Sequence, residues 1–122
     1  MSADDFARRF AVCFGAQDVD GLAALIAADG SVLTLSGAWA EGRPAARAAF
    51  AAEAAGLCAR ARLVTGKGHL TALGSDCALL RQRFVVTGAV DESGAELPRF
   101  GAMLVAVLLG DRAVSLTFTA LP

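Results

Sequence analysis

The chain has 122 residues, 11 Lys+Arg against 12 Asp+Glu, a net charge of −1, one histidine and three cysteines. That length fits one domain able to bury about two-thirds of its unfolded surface without metal or disulfide help, and the scattered, balanced charge removes the electrostatic attraction on which nucleic-acid binding depends. Hydrophobic residues make up 56%, but 28 of them are alanines, so the excess is mostly small side chains. The apolar run Phe100 to Gly110 is about half of a membrane span, and Asp4, Asp5, Arg8 and Arg9 interrupt the N-terminus where a signal peptide would be apolar. A cytoplasmic protein is expected. Cys13, Cys58 and Cys77 are odd in number and form no CxxC, which fits small buried hydrophobes rather than a disulfide framework or zinc site.

Along the chain, Phe6, Phe10, Cys13 and Phe14 recur at helical spacing and predict an amphipathic helix from Ala3 to Ala16, with Asp4 and Asp5 in its first turn. Asp18 is a predicted N-cap for a second helix with Val19, Leu22, Leu25 and Ile26 on one face, stopped by Asp29-Gly30. Ser31 to Ser36 reads as a short strand. Pro44 to Ala55 reads as a third helix, with Phe50 and Leu57 as its large apolar groups and Gly56 at its end. Four strands follow, at Leu63 to Leu73, Ala78 to Ala89, Pro98 to Leu109 and Ala113 to Leu121, separated by turns rich in Gly, Asp and Ser. They are about twice the usual strand length, and glycines at 66, 68, 88 and 101 mark expected bulges or bends. The sum is a single α+β domain over residues 1–122: three N-terminal helices packed on a long, curved antiparallel sheet.

The segment Gln17-Asp18-Val19-Asp20-Gly21-Leu22-Ala23-Ala24-Leu25-Ile26-Ala27-Ala28-Asp29-Gly30 resembles the second-helix motif of the NTF2-like (SnoaL-like, cystatin-like) superfamily. Trp39-Ala40-Glu41-Gly42-Arg43-Pro44-Ala45-Ala46 resembles the stretch that leads into its third helix. The order and spacing agree from Asp5 to Thr119, with the small SgcJ/EcaC-like proteins as the nearest subgroup. The resemblance implies a cone whose sheet and helices enclose an apolar pocket, in a homodimer, with members that are isomerases, cyclases or epoxide hydrolases and others that only bind ligands or partners.

Hairpin register then sorts the strands. Closing the turns with Leu73 across from Ala78, Val90 from Ala95 and Leu109 from Arg112 collects Lys67, His69, Leu80, Gln82, Phe84, Met103, Val105, Val107, Val114, Leu116 and Phe118 on one face. This more apolar face is expected to line the cone, with His69 across from Gln82 and Lys67 across from Phe84. The other face, with Leu70, Leu104 and Phe100 among arginines and threonines, is expected to pack against a second copy.

His69 is the one side chain whose ordinary pKa suits proton transfer near neutrality, and is the candidate acid/base, with Gln82 or Lys67 as polarising donors. A solvated histidine doing no chemistry is the bland alternative. Phe10, Phe14, Phe50, Phe84, Met103 and Phe118 are expected as core and pocket wall, with Trp39 at the mouth or packed on the third helix. Arg43 matches the family's glycine-arginine position, with a structural role, and Glu41 is expected at the surface. Features of the enzymatic branches are missing: Val32 to Ser36, where the isomerase-like branch carries its aspartate, has no carboxylate; the chain has no tyrosine; and no acidic residue lies inside the four long strands to serve epoxide hydrolysis. No metal site and no cofactor is expected. Two functions therefore stand. One is binding of a small apolar or aromatic molecule, with proton-transfer chemistry at His69 as an extension; the other is a non-catalytic ligand-binding or protein-interaction dimer.

Overall fold

The computed structural model describes residues 5–122. In chain order it contains α1 (Phe6–Gly15), α2 (Val19–Ala24), β1 (Ile26–Leu33), β2 (Trp39–Glu41), α3 (Arg43–Ala55), β3 (Arg62–Ala72), β4 (Cys77–Thr87), β5 (Phe100–Leu109) and β6 (Arg112–Ala120). The expected start of the first helix at Ala3 and Asp4 lies outside the described residues. Asp5 flanks α1 and accepts from Arg8, one turn along. Asp18 caps α2 as its side chain accepts the Gly21 N–H. No described helix is long and apolar enough to cross a membrane.

The six strands form one sheet in the order β2-β1-β6-β5-β4-β3. From β3 to β6 it is the expected antiparallel meander, with each strand bound within two residues of its predicted ends. The other end departs from an all-antiparallel sheet, because β1 runs parallel to β6, with Ser31, Val32 and Leu33 beside Ser115, Leu116 and Thr117. β1 also begins at Ile26, a residue expected on the second helix. Its β-branched side chain is fully buried, and pairing with Ala113 outweighs the helical spacing with Leu22. The three-residue β2 was not anticipated; it pairs Trp39, Ala40 and Glu41 with Leu33, Val32 and Ser31.

Two register details decide which residues face the helices. Between β4 and β5 the long connection closes with Val90 across from Glu96, not Ala95, so Phe84 sits beside Ala102 and Gln82 beside Leu104. A one-residue slip exchanges the two faces of a strand. The buried face of β5 is therefore Ala102, Leu104, Ala106 and Leu108, while Met103, Val105 and Val107 turn outward. The β3–β4 turn closes with Ala72, not Leu73, across from Ala78, so His69 lies across from Arg81 and Gly68 across from Gln82; the shift between Thr65 and Gly68, the bulge expected at those glycines, then sets Thr65 across from Phe84. Gly101, by contrast, pairs regularly with Val85.

The helices cover the inner face. Phe6, Phe10 and Phe14, at helical spacing on α1, are buried with Phe50 of α3 against Phe84, Val86, Leu104, Leu108, Leu116 and Phe118 of the sheet. Gly42, at φ +86°, precedes α3 in a conformation that suits glycine and turns the chain from β2 into the helix.

Candidate functional site

Phe10, Phe14, Phe84 and Phe118, all expected as pocket wall, meet one another at the centre of the fold. Ring centroids are 5.2 Å apart for Phe10 and Phe118, 5.6 Å for Phe14 and Phe118 and 6.1 Å for Phe84 and Phe118, each pair edge to face. Phe10 also stands 5.9 Å from Phe14 and 6.2 Å from Phe84. These are the spacings of packed aromatic pairs. Four rings from one helix and two strands thus occupy the space under the sheet, and Phe50 is buried in the same cluster.

The polar residues expected beside them do not converge. Gln82 does face inward and is 7% exposed, but its Nε2 donates to the carbonyls of Gly66 and Arg83, both at 2.9 Å. Its donor group holds the β3 bulge. Lys67 and His69 are exposed on the edge strand, with His69 on the outer face across from Arg81 instead of beside Gln82, and Thr65, not Lys67, faces Phe84. Met103 is on the outer face, beside Arg83. Trp39 is 74% exposed, also on the outer face, and its indole N–H donates to the Glu41 carboxylate. Arg43 has the structural role expected of it: its Nε donates to the Ile26 carbonyl at 2.8 Å, tying the start of α3 to the start of β1.

One buried carboxylate escaped the reading of the sequence. Glu53 of α3 is 5% exposed, and its Oε2 accepts the Ser36 N–H at 2.5 Å, holding the β1–β2 turn against the helix. Thr34, also buried, accepts the Ala38 N–H within the same turn. Burial, with Glu53 nearby as the smaller cause, pushes the Cys58 thiol up to about 12. The available signal was the spacing Ala46, Phe50, Glu53, which places the carboxylate on the buried stripe of α3. Its single acceptor contact is structural, in the manner of a cap.

Among the described residues no three His, Cys, Asp or Glu side chains gather as a metal site. An open groove of about 990 Å3 lies between the end of α3 and the β4–β5 connection, with Leu57, Val90 and Leu97 as its large apolar walls and Arg60, Asp91 and Glu92 at its rim.

No family model and no curated protein matches the sequence. Solved structures do match the fold. An uncharacterized protein with a cystatin-like fold from Caulobacter vibrioides superposes with a TM-score of 0.87 at 14% identity, covering 99% of this chain and 88% of that one. A ketosteroid isomerase-like protein from Erwinia carotovora atroseptica gives 0.83 at 11% identity over 99% and 95%. An NTF2-like protein with a cystatin-like fold from Novosphingobium aromaticivorans gives 0.75 at 24% identity over 96% and 78%. The chain therefore has the cystatin-like fold of NTF2-like proteins.

Proposed function

We propose that this protein is a non-catalytic NTF2-like interaction module that forms a homodimer through the outer face of its sheet. The observation that carries this reading is the contrast between a cone filled by four phenylalanine rings and an outer face left with apolar groups uncovered. Leu33, Met103, Val105, Val107 and Leu79 are only half-buried there, and Trp39 stands clear at one edge. Charge on this face favours a second copy. Trp39 and Glu41 lie on β2 at one edge; Arg81 and Arg83 lie on β4 near the other. A two-fold axis between the sheets, parallel to the strands, sets the β2 edge of one copy over the β3–β4 edge of the other, so each guanidinium pair meets an indole face and a carboxylate. An isologous contact uses both complementary pairs at once.

Light scattering tests this directly. The expected mass is twice 12.4 kDa, returning to 12.4 kDa when Val105→Arg places a charge at the centre of the face without loss of the far-UV circular dichroism. A mass of 12.4 kDa for the unaltered chain across micromolar concentrations overturns the proposal.

Small-molecule binding is the second reading, and the groove beside Leu57, Val90 and Leu97 favours it, since about 990 Å3 suits a metabolite-sized apolar ligand. This places the ligand outside the cone. Proton transfer is not part of either reading: His69 faces solvent beside Arg81, and the Gln82 donor is already used by the backbone.

A further inference from the structure

A second groove, of about 440 Å3, opens where the start of α3 meets the end of α2 and the first residue of β6. Its charged lining residues are three arginines, Arg43, Arg47 and Arg112, against one aspartate, Asp20. In a chain whose net charge is −1, this is a local excess of two positive charges. The three arginines are differently engaged. Arg43 is anchored through Nε to the Ile26 carbonyl, and its two terminal nitrogens make no hydrogen bond to a described residue. Arg47 gives its Nε to Asp20 at 2.8 Å. Arg112 has no side-chain hydrogen bond or ion pair among the described residues, although it sits in the same lining. The first turn of α3 adds to the positive field, because its N-cap is Gly42, which offers no side chain to the unpaired N–H groups there.

We propose that this groove binds a small organic phosphate, its phosphoryl group held among the three guanidinium groups and its organic part lying on the apolar wall of Ala23, Ala24 and Pro44. Two features select this chemistry. A phosphate monoester carries a charge near −2 at neutral pH, which matches the local excess, whereas a monocarboxylate neutralises half of it. Its three terminal oxygens also give each planar guanidinium fork an acceptor, an arrangement that a point charge does not exploit. The wall explains why the ligand is an ester rather than the free ion.

Calorimetric titration with phenyl phosphate and with inorganic phosphate tests the assignment. Saturable binding is expected, tighter for phenyl phosphate. Arg47→Gln and Arg112→Gln, both at exposed positions that leave the thermal melt unchanged, each weaken it by about three- to tenfold. Asp20→Asn removes the competing carboxylate and strengthens binding, and added salt weakens it. Absence of saturable binding, affinity indifferent to the double Arg47→Gln/Arg112→Gln change, or equal affinity for the two phosphates overturns the proposal.

Discussion

The two faces of strand β4 carry opposite chemistry. Leu80, Gln82, Phe84 and Val86 point under the helices and are buried, whereas Leu79, Arg81, Arg83 and Val85 point the other way and remain at least partly exposed. The inner set finds every partner within one chain: rings for Phe84, carbonyls for Gln82 and aliphatic groups for the rest. The outer set mixes arginines with aliphatic groups that a monomer does not cover. In this molecule the interior, where a ligand was expected, is packed with rings, and the uncovered apolar and charged groups lie on the outer face.

Truncating a ring inside the cone puts this contrast under the largest strain. Phe118→Ala removes the ring that meets three others and is expected to destabilise the fold by about 3–5 kcal/mol, read from the urea midpoint. A loss below about 1 kcal/mol means that the rings line a space rather than fill it, and it returns the ligand pocket to the cone.

Gln82 marks the boundary between the faces, since its inward amide organises an exposed edge strand. Gln82→Ala leaves the Gly66 and Arg83 carbonyls without their shared donor and is expected to cost about 1–3 kcal/mol, with faster amide exchange confined to β3. Gly68→Ala reaches the same contact from across the strand pair, because a Cβ there collides with the Gln82 amide oxygen and forces the side chain off its carbonyls. The two changes are therefore expected to be non-additive. An additive pair separates the bulge from the glutamine.

This boundary also shows where the sequence was legible. Strands β3 to β6 declare themselves through apolar-rich runs broken by Gly, Asp and Ser turns, so their ends are readable to within two residues. The helical spacing of Phe6, Phe10 and Phe14 likewise identifies the buried stripe of α1. Face assignment needs register, and register rests on connections whose closure is not local. The bridge at Glu96 instead of Ala95 turned Met103, Val105 and Val107 outward, and the β3–β4 turn, closing with Ala72 instead of Leu73 across from Ala78, set His69 across from Arg81. Ile26 joined a strand because its partner, Ala113, is remote in sequence and invisible to any local pattern. The arginine groove was unreadable for the same reason: Arg112 is far along the chain from Arg43 and Arg47 and reaches them only through the β1–β6 pairing.

Alkaline titration distinguishes inside from outside by chemistry rather than packing. The buried Cys58 thiol is held neutral to about 12 against an ordinary value of 9.0, first by burial and second by the Glu53 charge. A raised folded-state pKa means that the native chain retains a proton that the unfolded chain releases. The corresponding stability is fully present below pH 9.0 and is lost as pH rises toward about 12, at no more than about 1.4 kcal/mol per pH unit. The chain contains no tyrosine, and Cys13, whose thiol is also raised, first by burial and then by the Asp18 charge, is unchanged in Cys58→Ala, so the difference between the two proteins isolates Cys58. Chemical unfolding across this range is expected to show a shallower decline in Cys58→Ala; equal slopes mean that the thiol is not sealed from solvent.

The smallest effect is expected at His69, and its smallness is informative. The side chain lies on the outer face of an edge strand, exposed, with no side-chain hydrogen bond to a described residue and with Arg81 opposite. Nothing inside the protomer depends on it, so His69→Ala is expected to change the urea midpoint by the equivalent of less than about 0.5 kcal/mol. In the dimer arrangement, however, this edge lies beneath the partner's β2. Measuring His69→Ala at two protein concentrations separates the contributions: a penalty that grows with concentration places the residue in the contact between copies, and one independent of concentration places it against its own chain. A large concentration-independent loss breaks the contrast between the faces at the residue where a catalytic role was first expected.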